Sequence, residues 1–233
     1  MRAMVIHRIG PVADDEALLE LRDLPIPEPG RREVRIAVSV CGVCHTELDE
    51  IEGRTRPPRL PVVPGHEVVG RVDAIGEEAS RFRLGERVGV GWIHRSTGEE
   101  DENLSPRFEA TGRDVDGGYA EYMIAPEGNA HPIPEFFGDA EAAPLLCAGA
   151  VGFRALRLTG LRDGESLGLS GFGGSAHLVL QLVRRRFPRT AVYVFARDAE
   201  ARGFARELGA TWAGAIGERA PEPLRAIIDT TPA

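Results

Sequence analysis

The chain has 233 residues, 42% of them hydrophobic and 27% charged, enough for one large or two modest domains with cores of their own. Acidic residues outnumber basic ones 36 to 28, for a formal net charge of −8, which argues against a nucleic-acid footprint. No apolar run reaches the ~18 residues that a membrane span needs. All 28 basic residues are arginine, so lysine Schiff-base chemistry and the Walker lysine are excluded for want of a lysine amine. The start, Met1-Arg-Ala-Met-Val-Ile-His7, reads as a strand and lacks the apolar core of a signal peptide, so the expectation is a soluble, cytoplasmic protein. Three cysteines, Cys41, Cys44 and Cys147, are too few and too odd a set for a disulfide framework.

In chain order, residues 3–7, 34–40, 68–75, 87–90 and 119–124 read as short strands between Pro- and Gly-rich punctuation, with helical sequence scarce. This pattern predicts an all-β barrel or sandwich over residues 1–149. Residues 24–30 carry three prolines and are a loop, because proline lacks the ladder donor. The polar stretch 97–116 is expected to be a surface loop. Over residues 150–233 the pattern turns to α/β: strands at 166–170, 191–195 and 226–229, helices at 177–186 and 198–208. Gly209 is placed as a left-handed C-cap, and the alternation implies a parallel sheet. Arg184–Arg186 reads as a solvated helix end favoured by the helix dipole.

Three residues stand in distinctive surroundings: Gly42-Val43-Cys44-His45-Thr46, Pro64-Gly65-His66-Glu67 and Pro144-Leu145-Leu146-Cys147-Ala148-Gly149-Ala150. Two thiolates and an imidazole suit Zn²⁺, and three protein ligands leave a tetrahedral position open, the layout of a catalytic zinc. Each motif resembles its counterpart in the zinc-dependent medium-chain alcohol dehydrogenases, and the three occur in that family's order. The resemblance implies a GroES-like β-barrel catalytic domain followed by a partial Rossmann doubly wound sheet. It implies metal ligands Cys44, His66 and Cys147, with Cys41 a packing residue. Thr46 matches the hydroxyl that takes the alcohol proton, Glu67 the glutamate beside the metal, and Glu47 the acid that orients the zinc histidine. Asp49 stands where many members carry a histidine at the outer end of a proton relay. Trp92 and Ile93 fall where the family lines its substrate pocket. The four-cysteine lobe of many members is missing: Thr97 and Ser105 stand near its ends, and a hydroxyl cannot replace a thiolate there. One zinc is therefore expected.

Gly171, Gly173 and Ala176, with Gly174 between, form G-x-G-x-x-A after a strand and at the opening of a helix, a dinucleotide turn whose pyrophosphate would sit at the helix N-terminus. The second strand should end in an acid if it holds a ribose 2′-hydroxyl. The family's acid position falls on Ala196, followed by Arg197, which favours NADP(H) over NAD(H), while Asp198 could reverse that preference. About four of six Rossmann strands are legible, the last near Ile228. Two readings follow: a zinc- and nicotinamide-dependent alcohol oxidoreductase acting on a small alcohol, aldehyde or ketone, or a shortened zinc-binding relative that does not catalyse. A zinc-free quinone or enoyl reductase is disfavoured by the Cys–His–Cys set. An open strand edge at 226–229 is expected to promote self-association.

Overall fold

Period-two alternation of apolar and polar residues lays down most of the first half of the chain as strands. The computed structural model describes residues 1–14, 17–99 and 101–231. They fall into two units, Met1–Cys147 and Ala148–Ala233.

In the first unit, β1 (Arg2–Ile6) pairs antiparallel with β2 (Leu19–Asp23). Next come β3 (Glu33–Cys41), helix α1 (His45–Ile51), β4 (Val68–Ile75) and β5 (Arg87–Val90). The strands β6 (Ile93–Arg95), β7 (Glu109–Ala110), β8 (Tyr122–Pro126) and β9 (Ala130–Pro132) and helix α2 (Asp139–Ala142) follow. Five strands form one antiparallel sheet in the order β8-β3-β4-β5-β9. Val34, Ile36, Val68, Val88 and Val90 send completely buried side chains into its core, each contributing about 1.5–3 kcal/mol of hydrophobic stabilisation. Two irregularities in the β3–β4 register, at Arg35/Ile36 and Val38/Val40, curl the sheet.

The segment 97–116 is more than the surface loop its polarity predicts. It contains a 3₁₀ turn at Glu102–Leu104 and strand β7, which pairs with β6, and it buries Thr111. Its composition is polar because only a few residues turn inward. Similarly, the strand expected at 119–124 begins as a register strand of β8 only at Tyr122, since Tyr119 donates its N–H to Pro64 and Glu121 to Arg2.

In the second unit, α3 (Ala148–Leu158) precedes β10 (Ser166–Ser170), α4 (Gly174–Arg186), β11 (Ala191–Phe195), α5 (Ala199–Glu207), β12 (Trp212–Gly214) and β13 (Ala226–Asp229). The strands are all parallel, in the order β12-β11-β10-β13. This is the first half of a doubly wound sheet plus the strand beyond its reversal point. Leu167, Leu169, Val192 and Val194 are completely buried, as parallel strands covered by helices require. Helix α5 ends at Gly209, whose φ of 96° permits the Ala210 N–H to reach the Ala205 carbonyl at 2.9 Å. No helix among the described residues is long and apolar enough to cross a membrane.

Candidate active site

Three local structures carry the candidate metal-binding motifs. Cys44 is the N-cap of α1, in extended backbone, so its side chain projects from the helix start together with the Thr46 hydroxyl, whose Oγ1 is 3.5 Å from Cys44 Sγ. His66 follows Gly65, which sits at φ 100°. A side chain at Gly65 would collide with Tyr119 Cδ1 at 2.5 Å and Cys41 Sγ at 2.8 Å, so only glycine lets the chain turn there and bury the imidazole. Cys147 leaves the 3₁₀ turn Ala143–Leu146, its N–H donating to Pro144.

These turns bring one ligand atom each from Cys44, His66, Glu67 and Cys147 within 4.8 Å of one another. The two sulfurs are 4.0 Å apart. A tetrahedral Zn²⁺ with Zn–S bonds of about 2.3 Å separates its sulfurs by about 3.8 Å, so the donor set and its spacing fit zinc. Cys41 lies outside the cluster, against the β-sheet core, and burial pushes its thiol up to about 12.

Electrostatics agree with a cation site. The Cys147 thiol, donating to Cys44, holds the Cys44 sulfur down at about 3 against the opposing effect of burial, with His66 and Thr46 adding to the effect. Cys147 is raised in return, because its proton is shared with that thiolate. Burial disfavours the charged His66 ring, but hydrogen bonding to Cys44 and Glu47 outweighs it and lifts the ring to about 10. Burial, with the Cys44 charge, raises Glu67 to about 6. Cys44 is thus already a thiolate, and the protons held on Cys147, His66 and Glu67 are those a divalent cation would displace.

Glu47 joins two of the motifs. One oxygen accepts the Cys44 N–H at 2.7 Å, and the other lies 2.7 Å from Nδ1 of His66, with both side chains buried. That leaves Nε2 of His66 for a metal and fixes the ring's direction. Asp49, on the same helix, accepts from Nε of Arg54 at 2.6 Å and lies 4.0 Å from Nε2 of His45. Arg54 and Glu50 escape notice in the sequence. Glu50 is 2% exposed, its Oε2 has no partner, and burial together with Glu47 raises its carboxyl to about 8. The available signal was the spacing Glu47, Glu50, Ile51, which is one buried helix face. Trp92 packs against Phe108 with ring centroids 5.5 Å apart, and Ile93 opens β6. Thr97 and Ser105 are used in local turns, accepting from the N–H groups of Glu99 and Arg107.

In the second unit, Gly171 ends β10 at φ 80°, beside Thr230 and Thr231. Gly173 caps α4 in extended backbone, Gly174 begins the helix, and Ala176 is completely buried beneath it. The small residue at 176 allows the helix to approach the strand closely. Ala196 is buried at the end of β11. Arg197 is exposed, and Asp198 caps α5 by accepting the Glu200 N–H at 3.1 Å.

Residues 30–135 match the alcohol dehydrogenase GroES-like domain family. The chain is 42% identical over 239 residues to the protein named probable alcohol dehydrogenase AdhA of Mycobacterium tuberculosis, covering 98% of this chain and 68% of that one. It is 36% identical to an alcohol dehydrogenase of Geobacillus stearothermophilus, covering 98% and 67% respectively. The crystal structure of an alcohol dehydrogenase of Escherichia coli CFT073 complexed with NADH superimposes with a TM-score of 0.87 at 25% identity, covering 99% of this chain and 69% of that one. The chain thus spans about two thirds of the length of the relatives it matches.

Proposed function

The chain belongs to the zinc-type medium-chain alcohol dehydrogenase family, and from that membership we propose that it oxidises a small alcohol to an aldehyde or ketone, or runs the reverse, with one zinc and a nicotinamide. The observation that carries this reading is the convergence of Cys44, His66, Glu67 and Cys147 beside the Thr46 hydroxyl. Cys44, His66 and Cys147 would hold the metal. Bound there, zinc supplies Lewis-acid polarisation of an alcohol oxygen, and a nicotinamide supplies the hydride acceptor.

The chain's own residues then have distinct tasks. Thr46 accepts the substrate's hydroxyl proton on Oγ1 as its own proton passes outward, toward the Asp49 end of α1 and solvent. Glu47 keeps the His66 ring aimed while bonding the backbone of Cys44. Glu67 places a carboxyl beside the ligands and tunes their charge. Gly171, Gly173, Gly174 and Ala176 offer backbone to a pyrophosphate. A buried Ala196 where an acid would hold the 2′-hydroxyl, an exposed Arg197 and an Asp198 committed to a helix cap support NADP(H) over NAD(H). A net charge of −8 supports a small-molecule partner over a nucleic acid, and the cytoplasm is the proposed compartment.

The test is a panel of primary and secondary alcohols given to the zinc-loaded 233-residue chain with NADP⁺ or NAD⁺. Alcohol-dependent reduction that Thr46→Val lowers by ~10²–10⁴-fold with zinc retained would support the reading. Zinc bound stoichiometrically with no dinucleotide reduced by any alcohol would favour the non-catalytic zinc-binding relative.

A further inference from the structure

We propose that Arg202 is a positioning residue for cofactor selection: it holds the turn after β11 in the shape that leaves Arg197 available to a 2′-phosphate. The proposal rests on the NADP(H) reading above and goes beyond it by naming what shapes the site.

One nitrogen of Arg202, Nη1, donates to two successive carbonyls, Ala196 O at 2.8 Å and Arg197 O at 2.7 Å. Two carbonyl oxygens that converge repel each other unless a donor stands between them. The guanidinium supplies that donor with a positive charge, which makes both hydrogen bonds charge-assisted. In a trans peptide the N–H points away from its carbonyl. With the carbonyls of residues 196 and 197 turned to Arg202, the N–H groups of Arg197 and Asp198 therefore turn to the opposite side.

The rest of the turn is committed in the same sense. One oxygen of the Asp198 carboxylate accepts the Glu200 N–H, and its carbonyl accepts the Arg202 N–H at 3.2 Å, so the residue is engaged as the cap of α5. The Arg197 side chain has no hydrogen bond or ion pair among the described residues, and the residue is exposed. A turn that uses its one acid internally and leaves its one guanidinium unpaired selects for negative charge. Arg202 spends its Nη1 on the backbone, and the role proposed for it acts through Arg197 and Asp198.

The test is direct titration of the purified chain with NADPH and with NADH, which needs no turnover. The wild type should bind NADPH more tightly. Arg202→Met should weaken NADPH by about tenfold while leaving NADH within about twofold, since the lost bonds serve a 2′-phosphate contact. Arg202→Lys, which can still reach a carbonyl, should keep most of the preference, and it carries the comparison if circular dichroism shows that Arg202→Met is unfolded. Because Arg202 acts through Arg197, adding Arg202→Met to Arg197→Ala should cost no further NADPH affinity. Equal losses of both dinucleotides in Arg202→Met, or additive losses in the double variant, would overturn the positioning role while sparing the NADP(H) reading. A wild type that prefers NADH, or binds neither dinucleotide, would overturn that reading and this proposal together.

Discussion

The metal centre and the glycine turn are built by opposite means. At the candidate metal centre, side chains do the work: two half-buried thiols converge with a buried imidazole and a buried carboxyl, and Glu47 bonds the backbone of Cys44 and faces the ring of His66. At the glycine turn, backbone does the work, and a side chain added at Gly173 or Gly174 would meet nothing within 4 Å. The first arrangement ties function to folding, because the groups that would hold zinc also fill the interior. The second leaves function to the ligand's own approach. The same change should therefore act differently in the two places.

Glycine-to-alanine substitution gives the largest contrast. Gly65→Ala forces a left-handed backbone onto a residue with a Cβ and drives that Cβ into Tyr119 and Cys41. It should cost about 3 kcal/mol or more in denaturant unfolding and weaken zinc as well. Gly173→Ala, at φ −103° with open space around it, should leave stability within about 0.5 kcal/mol. It should still weaken a dinucleotide, because the pyrophosphate needs close approach to that backbone. Loss of stability in Gly173→Ala would erase the contrast.

Next comes Glu47→Gln, which keeps the shape but removes the charge facing His66 Nδ1. Zinc affinity, measured by competition with a chelator, should fall about 10–100-fold, the usual consequence of removing a carboxylate behind a ligating histidine. An unchanged affinity would mean that the His66 ring is fixed by packing alone.

The smallest effect concerns Glu50 in the metal-free chain. Its carboxyl is raised from 4.5 to about 8 by burial and by Glu47, so the folded state holds the proton more tightly than the unfolded state. Its contribution to stability is complete below pH 4.5 and is lost as pH rises through 8, where a buried carboxylate must ionise without a partner. Glu50→Gln should therefore have little effect near pH 4.5 and stabilise by about 1–2 kcal/mol near pH 8.5 in urea unfolding. A benefit that did not depend on pH would show that ionisation is not its cause.

Much of this was legible from local patterns. The strands Val68–Ile75, Arg87–Val90, Ser166–Ser170, Ala191–Phe195 and Ala226–Asp229 carry apolar runs or alternation bounded by turns, and they form with those bounds. Strand β12 has only three residues, Trp212-Ala-Gly214, too few for a period to show, and exists because β11 offers it an edge. Helix α3 was hidden by the glycines of Ala148-Gly-Ala-Val-Gly, which lower helix propensity until packing restores it. The convergence of Cys44, His66 and Cys147 was implied by family resemblance. So was Glu47 behind His66, whereas the Asp49–Arg54 pair and the double carbonyl contact of Arg202 were not, because they depend on how turns fold back, which spacing along the chain does not encode.

The central claim is a single zinc held by Cys44, His66 and Cys147, and metal analysis of the purified chain tests it most directly. The account predicts one zinc per chain in the wild type and none retained after dialysis in Cys44→Ala, which lacks one thiolate of the set. Two zincs per chain, or undiminished zinc in Cys44→Ala, would contradict it.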